Sequence, residues 1–114
     1  ALSDNVFLPA DVVVRAGDKG RELFFMRRGQ AQVYVGGEPP VWGCSEPVAT
    51  YTVGNYFGEL GMLTGQPRKA WIMAEIYTVC SVLPYSAVEE LMHQYPGAFT
   101  SLVQAMVRQY DLKS

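Results

Sequence analysis

The sequence predicts a mainly β domain closed by helices at its C-terminal end, an α+β class in which the strands come first. Three observations carry that prediction. Over the first two-thirds, short β-branched or apolar runs are separated by turns bearing glycine and proline. Beyond Pro84 the apolar residues recur at helical spacing instead. The chain also has the size and make-up of a single domain with one sizeable core: 114 residues, 49% hydrophobic and 18% charged.

The elements follow in order. Val12-Val13-Val14 is β-branched, Leu23 to Met26 is apolar, and Ala31 to Val35 alternates apolar with polar. Gly17, Gly20 and Gly29 read as the turns between them. Residues 36–47, rich in glycine and proline, form a connection that is long for a hairpin. Val48 to Val53 resumes a strand, and Ala70 to Ile76 with Thr78 to Leu83 reads as a further pair. Many short strands with glycine turns, over about residues 6–83, point to a barrel or jelly roll. Ser86-Ala87-Val88-Glu89 then has the form of a capping box, in which serine and glutamate satisfy each other's amides. Val88, Leu91, Met92 and Tyr95 share one helical face, predicting a helix over 86–95 that Pro96 stops. Phe99, Leu102, Val103, Met106, Val107 and Tyr110 predict a second helix over 97–112. No internal repeat or low-complexity tract interrupts the single domain, residues 1–114.

Charge and composition exclude several classes. Nine basic and eleven acidic residues leave a net charge of -2, without the broad basic field that nucleic acid or an anionic membrane surface requires. An anionic ligand must therefore be held by a local site. Cys44 and Cys80 show no metal spacing, and His93 is the only histidine, so neither a structural zinc site nor a Ser/His/Asp constellation is expected. Two thiols in a reducing compartment is a simpler reading than a disulfide. No Gly-x4-Gly-Lys-Ser/Thr loop occurs. No apolar run reaches the roughly 18 residues of a membrane span, and no signal peptide is visible. The abrupt start at Ala1-Leu2-Ser3 reads as a segment of something larger. The expected location is cytoplasmic, which includes the cytosolic part of a membrane protein.

One segment concentrates the chemistry. Residues 56–74 contain Gly58 and Gly61, which permit close backbone approach, and Glu59 to Leu63, one turn of good helix formers. Arg68 presents a planar fork that matches two phosphate oxygens. Glu59 can accept a hydrogen bond from a sugar hydroxyl, and Pro67 stiffens the approach to Arg68. Taken alone, these residues describe a phosphate-sugar site and nothing more specific.

The run Phe57-Gly58-Glu59-Leu60-Gly61-Met62-Leu63, followed by Pro67-Arg68-Lys69-Ala70, resembles the phosphate-binding cassette of the cyclic-nucleotide-binding family. A second family segment precedes it, Gly17-Asp18-Lys19-Gly20-Arg21-Glu22-Leu23-Phe24-Phe25-Met26 leading to Gly29. The resemblance extends from Phe7 through the last helix. It implies an eight-stranded antiparallel jelly-roll barrel with a short cassette helix and two following helices. It implies cyclic AMP or cyclic GMP as ligand, and no cofactor. Glu59 would bind the ribose 2′-hydroxyl and Arg68 the cyclic phosphate, with the amides of Gly58, Leu60 and Ala70 completing the cradle. The last helix would act as a lid over the base through Met106, Val107 and Tyr110. The helix before it would rest on the barrel whether or not ligand is bound.

Two departures stand out. The family often has a small residue or threonine directly after the arginine, and threonine there favours guanine. This chain has Lys69, which points to cyclic AMP. Two residues further on, where the family often has Ser, Thr or Asn, it has Trp71. Both are counted among the expected ligand-binding residues. The expected function is that of a regulatory sensor, not an enzyme, acting on an effector module elsewhere in the parent chain or complex, an oligomer included. Gly20-Arg21-Glu22-Leu23 before an aromatic, and the Tyr95-Pro96 break, look most like cyclic-nucleotide-gated or hyperpolarisation-activated channels. A kinase regulatory subunit is the main alternative, and a ligand-free structural domain of the same fold the third.

Overall fold

A computed structural model describes residues 3–97 and Ser101 of the chain. Eight strands and two helices lie within them. The strands are β1 (Ser3–Phe7), β2 (Val12–Val14), β3 (Glu22–Arg28), β4 (Gln30–Tyr34), β5 (Ala49–Thr52), β6 (Tyr56–Phe57), β7 (Trp71–Ala74) and β8 (Thr78–Pro84). Helix α1 (Glu59–Thr64) separates β6 from β7, and α2 (Tyr85–Gln94) follows β8. The predicted second C-terminal helix, with its stripe from Phe99 to Tyr110, lies outside the described residues.

Every ladder is antiparallel. Among the described residues the expected barrel takes the form of two separate four-stranded sheets, ordered β1-β8-β3-β6 and β2-β7-β4-β5. The sheets face each other across one core. Phe24, Met26, Phe57 and Cys80 come from the first, and Val14, Ala31 and Ile72 from the second. Strands β1 and β6 were not individually legible. Ser3-Asp4-Asn5 carries no apolar alternation because β1 is an exposed edge strand paired, among the described residues, only with β8. β6 is only two residues long, too short to show a period.

Strand β3 explains why Leu23 to Met26 is apolar without alternation. Side chains of a strand alternate between faces. Phe24 and Met26 enter the core between the sheets, while Leu23 and Phe25 pack on the other face with Leu83, Val88, Tyr85 and Met92. Helix α2 covers that second face, so both faces of β3 are buried and both must be apolar. Burial has a chemical consequence at Cys80. Loss of solvent, and secondarily the charge of Asp4, pushes its thiol up to about 12, so it is inert at neutral pH. Cys44 is exposed, and both are free thiols.

Two details of α2 go beyond the sequence reading. The helix begins at Tyr85, one residue before the Ser86 of the capping box, because β8 runs directly into it through Pro84. The Tyr85 N–H donates to the Arg21 carbonyl at 2.8 Å. Helix α2 packs on the sheet, as expected, and not on it alone. Val88 shares its buried cluster with Met62 of α1, so the helix also touches the cassette.

Candidate functional site

The cassette and the inner faces of both sheets enclose a cavity of about 280 Å³. Its apolar wall is Val14, Val33, Tyr51, Phe57 and Ile72; its polar side is the run from Gly58 to Ala70. The wall follows from strand alternation. On β5, Tyr51 points into the space between the sheets while its neighbours Thr50 and Thr52 are exposed. Tyr51 stacks on Phe57 at 4.9 Å between ring centroids, and Phe57 stacks on Phe24 at 5.2 Å. This three-ring pile supports the floor of the cavity.

Arg68 enters from the loop between α1 and β7. Its backbone is clamped by the β2–β3 loop: Arg68 N–H donates to the Asp18 carbonyl, and Gly17 N–H donates to the Arg68 carbonyl, each at 2.8 Å. The guanidinium Nη1 donates to the Gly58 carbonyl and Nη2 to the Glu22 carbonyl, each at 3.0 Å. Its carbon lies 5.8 Å from the centre of the Phe24 ring. Neither hydrogen-bond partner carries a charge, so the two carbonyls aim the fork without neutralising it.

Glycine makes that approach possible. Gly58, the cap of α1, has φ 94°, a backbone conformation that L side chains rarely adopt. A Cβ there would stand 2.8 Å from both the Glu22 carbonyl oxygen and Arg68 Nη1. Gly20 and Gly61 border the same slot: a Cβ would approach an Arg68 guanidinium nitrogen to 3.2 and 2.8 Å respectively. The two motif segments thus meet around one side chain.

Glu59, half-buried in the first turn of α1, faces the cavity with Arg68. Burial first, and then the charge of Glu59, holds the Tyr51 phenol above its ordinary range. One cavity therefore carries a cation, a carboxylate and an apolar wall. That combination suits a ligand with an anionic group, a hydroxyl and a flat apolar body.

Most expected site residues converge. Gly58, Glu59, Arg68, Lys69 and Ala70 all line the cavity, Lys69 from an exposed position at its rim. Leu60 lies in α1 between two lining residues, Glu59 and Gly61. Trp71 does not join them. It is the first residue of β7, and alternation sends Ile72 to the cavity and Trp71 to the opposite face, buried against Tyr34 and Met73. The guanidinium carbon of Arg15 lies 5.9 Å from its ring centre. Met106, Val107 and Tyr110, the expected lid, lie outside the described residues. Sequence reasoning missed Tyr51, Val14, Val33 and Ile72. Their alternation within strands was legible, but not which face would meet the cassette.

The chain is similar to a cAMP-dependent protein kinase regulatory subunit of Blumeria graminis, 26% identical over 113 residues, covering 82% of this chain and 28% of that one. It is similar to the cyclic nucleotide-gated channel beta-3 of Canis lupus familiaris, 28% identical over 100 residues, covering 85% of this chain and 12% of that one. The chain thus spans less than a third of either relative. Its fold matches the regulatory domain of Toxoplasma gondii PKA co-crystallised with cAMP, with a TM-score of 0.71 and 26% identity, over 96% of this chain and 40% of that one. The family model described as cyclic nucleotide-binding domain matches residues 5–95. Because that match runs from β1 past the end of α2, the chain belongs to the cyclic nucleotide-binding domain family.

Proposed function

We propose that the cavity beside α1 binds cyclic AMP in preference to cyclic GMP, and that this binding regulates a protein kinase. The observation that carries the reading is the state of Arg68. Its guanidinium is aimed by two carbonyls and paired with no carboxylate among the described residues, so its charge is available to a phosphate. The cyclic phosphate would sit on Arg68 with the amides of Gly58, Leu60 and Ala70. Glu59 would accept from the ribose 2′-hydroxyl, and the purine would lie along Tyr51 and the aliphatic wall. Lys69 at the rim presents no short hydroxyl to a guanine, which supports the choice of adenine. The last helix, through Met106, Val107 and Tyr110, would close over the base. The domain itself is regulatory rather than catalytic.

Regulatory subunits of cAMP-dependent protein kinases among the relatives support a kinase as the effector. The channel relative supports an ion-channel pore as the second reading. Calorimetric titration of the chain with cyclic AMP, cyclic GMP and linear 5′-AMP tests the ligand. Cyclic AMP should bind most tightly and 5′-AMP most weakly. Tighter binding of cyclic GMP would reverse the preference, and heats indistinguishable from dilution with both cyclic nucleotides would reject the site.

A further inference from the structure

Arg21 stands between the two helices and touches both. Its carbonyl accepts the Tyr85 N–H at 2.8 Å, one step beyond the Glu22–Pro84 pair of the β3–β8 ladder. Tyr85 is the first residue of α2, and its N–H is one of the donors that a helix start leaves without an intrahelical partner. The Arg21 side chain serves the other helix. Its Nε donates to the Met62 carbonyl at 3.1 Å. Met62 lies near the C-terminal end of α1, where carbonyls lack helical partners and the dipole is negative, and α1 has no basic residue of its own in its last turn. The same guanidinium lies 4.0 Å from the centre of the Tyr85 ring, well inside cation–π range. One residue thus closes the end of α1 and anchors the start of α2 by three separate contacts.

We infer that Arg21 is a positioning residue that couples the ligand site to α2, by tying the C-terminal end of the cassette helix to the first turn of α2. This rests on the reading of the cavity as a cyclic-nucleotide site. A ligand held by Glu59 and Arg68 acts on the N-terminal side of α1. The helix is only six residues long, too short to bend, so a displacement at one end is delivered to the other. Arg21 passes it to Tyr85. Guanidinium suits the task because its planar fork can hold a carbonyl in its plane and a ring against its face together. A lysine ammonium has no such plane.

Amide hydrogen exchange of the chain, with and without saturating cyclic AMP, tests the coupling in wild type, Arg21→Ala, Tyr85→Leu and the double variant. In wild type, cyclic AMP should alter exchange both at 58–65 and at 85–94. In Arg21→Ala the response at 58–65 should persist, while the response at 85–94 falls about three- to tenfold, the loss of one cation–π contact and one hydrogen bond. Tyr85→Leu should give a smaller loss, because it removes only the ring contact and leaves the Arg21 Nε–Met62 carbonyl hydrogen bond in place. The double variant should be no worse than Arg21→Ala, since both changes remove one link. A full response at 85–94 in Arg21→Ala overturns the coupling. So does an equal loss at both segments, which would mean general loosening. Wild type that binds neither cyclic nucleotide rejects the site reading instead, a result separable by calorimetry.

Discussion

Both ends of α1 are held by an arginine reaching in from a loop, yet the two arginines are left in different states. At the N-terminal end Arg68 bonds the Gly58 and Glu22 carbonyls and faces a cavity. At the C-terminal end Arg21 bonds the Met62 carbonyl and lies against the Tyr85 ring. The chemistry of the side chain is the same, and so is the class of first partner. What separates the two is what the guanidinium faces beyond its carbonyl partner. At Arg21 it is an aromatic ring of the protein. At Arg68 it is the cavity, the Phe24 ring lying farther off at 5.8 Å.

The sharpest way to break this contrast is Arg68→Ala. Truncating one partner of a desolvated charge pair costs about 2–5 kcal/mol, or roughly 30- to several-thousand-fold in affinity. Titration with cyclic AMP should show that loss, whereas Arg21→Ala should leave affinity near that of wild type. Equal losses in the two variants would erase the distinction between the two ends.

Gly58→Ala should strike next hardest, and at stability before affinity. The left-handed backbone alone costs about 1–2 kcal/mol for an L residue. The added Cβ also meets the Glu22 carbonyl oxygen, a backbone atom that cannot swing aside. Thermal denaturation without ligand should show a lowered Tm; an unchanged Tm would mean that the slot relaxes freely.

Glu59→Gln should weaken cyclic AMP binding by about 1–2 kcal/mol, as a charge-assisted hydrogen bond becomes a neutral one. The penalty should largely vanish with 2′-deoxy cyclic AMP. If it persists with the deoxy analogue, Glu59 acts on something other than the ribose. The smallest effect is expected at the rim, where Lys69→Thr should shift selectivity toward cyclic GMP by about 0.5–1.5 kcal/mol, one neutral hydrogen bond. Competition between the two nucleotides measures that shift directly.

Legibility followed distance along the chain. The cassette could be read because Gly58, Glu59, Arg68 and Ala70 fall within one short segment, where spacing alone dictates neighbourhood. Strands β2, β3, β4, β7 and β8 were visible because each buries enough apolar residues to show a run or a period, and β5 because it lies within the run Val48 to Val53. β1 and β6 were not, one being a polar edge and the other two residues long. Trp71 shows the limit most clearly. Its place beside the cassette suggested a ligand contact, yet strand alternation turns it to the opposite face, where Tyr34 and Met73 bury it.

The chemistry of the groups that line the cavity was therefore written in the linear chain: a cation, a carboxylate and close-approach glycines, in an order that resembles one family. Other features needed the fold. The apolar wall is assembled from β2, β4, β5 and β7, strands whose inner faces meet the cassette only when the two sheets stack. The carbonyl of Glu22 reaches Arg68, and Arg21 joins two helices, because β3 runs between β6 and β8 and carries its own first residues to the foot of both. Local spacing can specify which groups are present. The direction in which a guanidinium points, and whether its open face meets a ring or a cavity, depends on contacts between segments far apart in the chain, and packing alone supplies those.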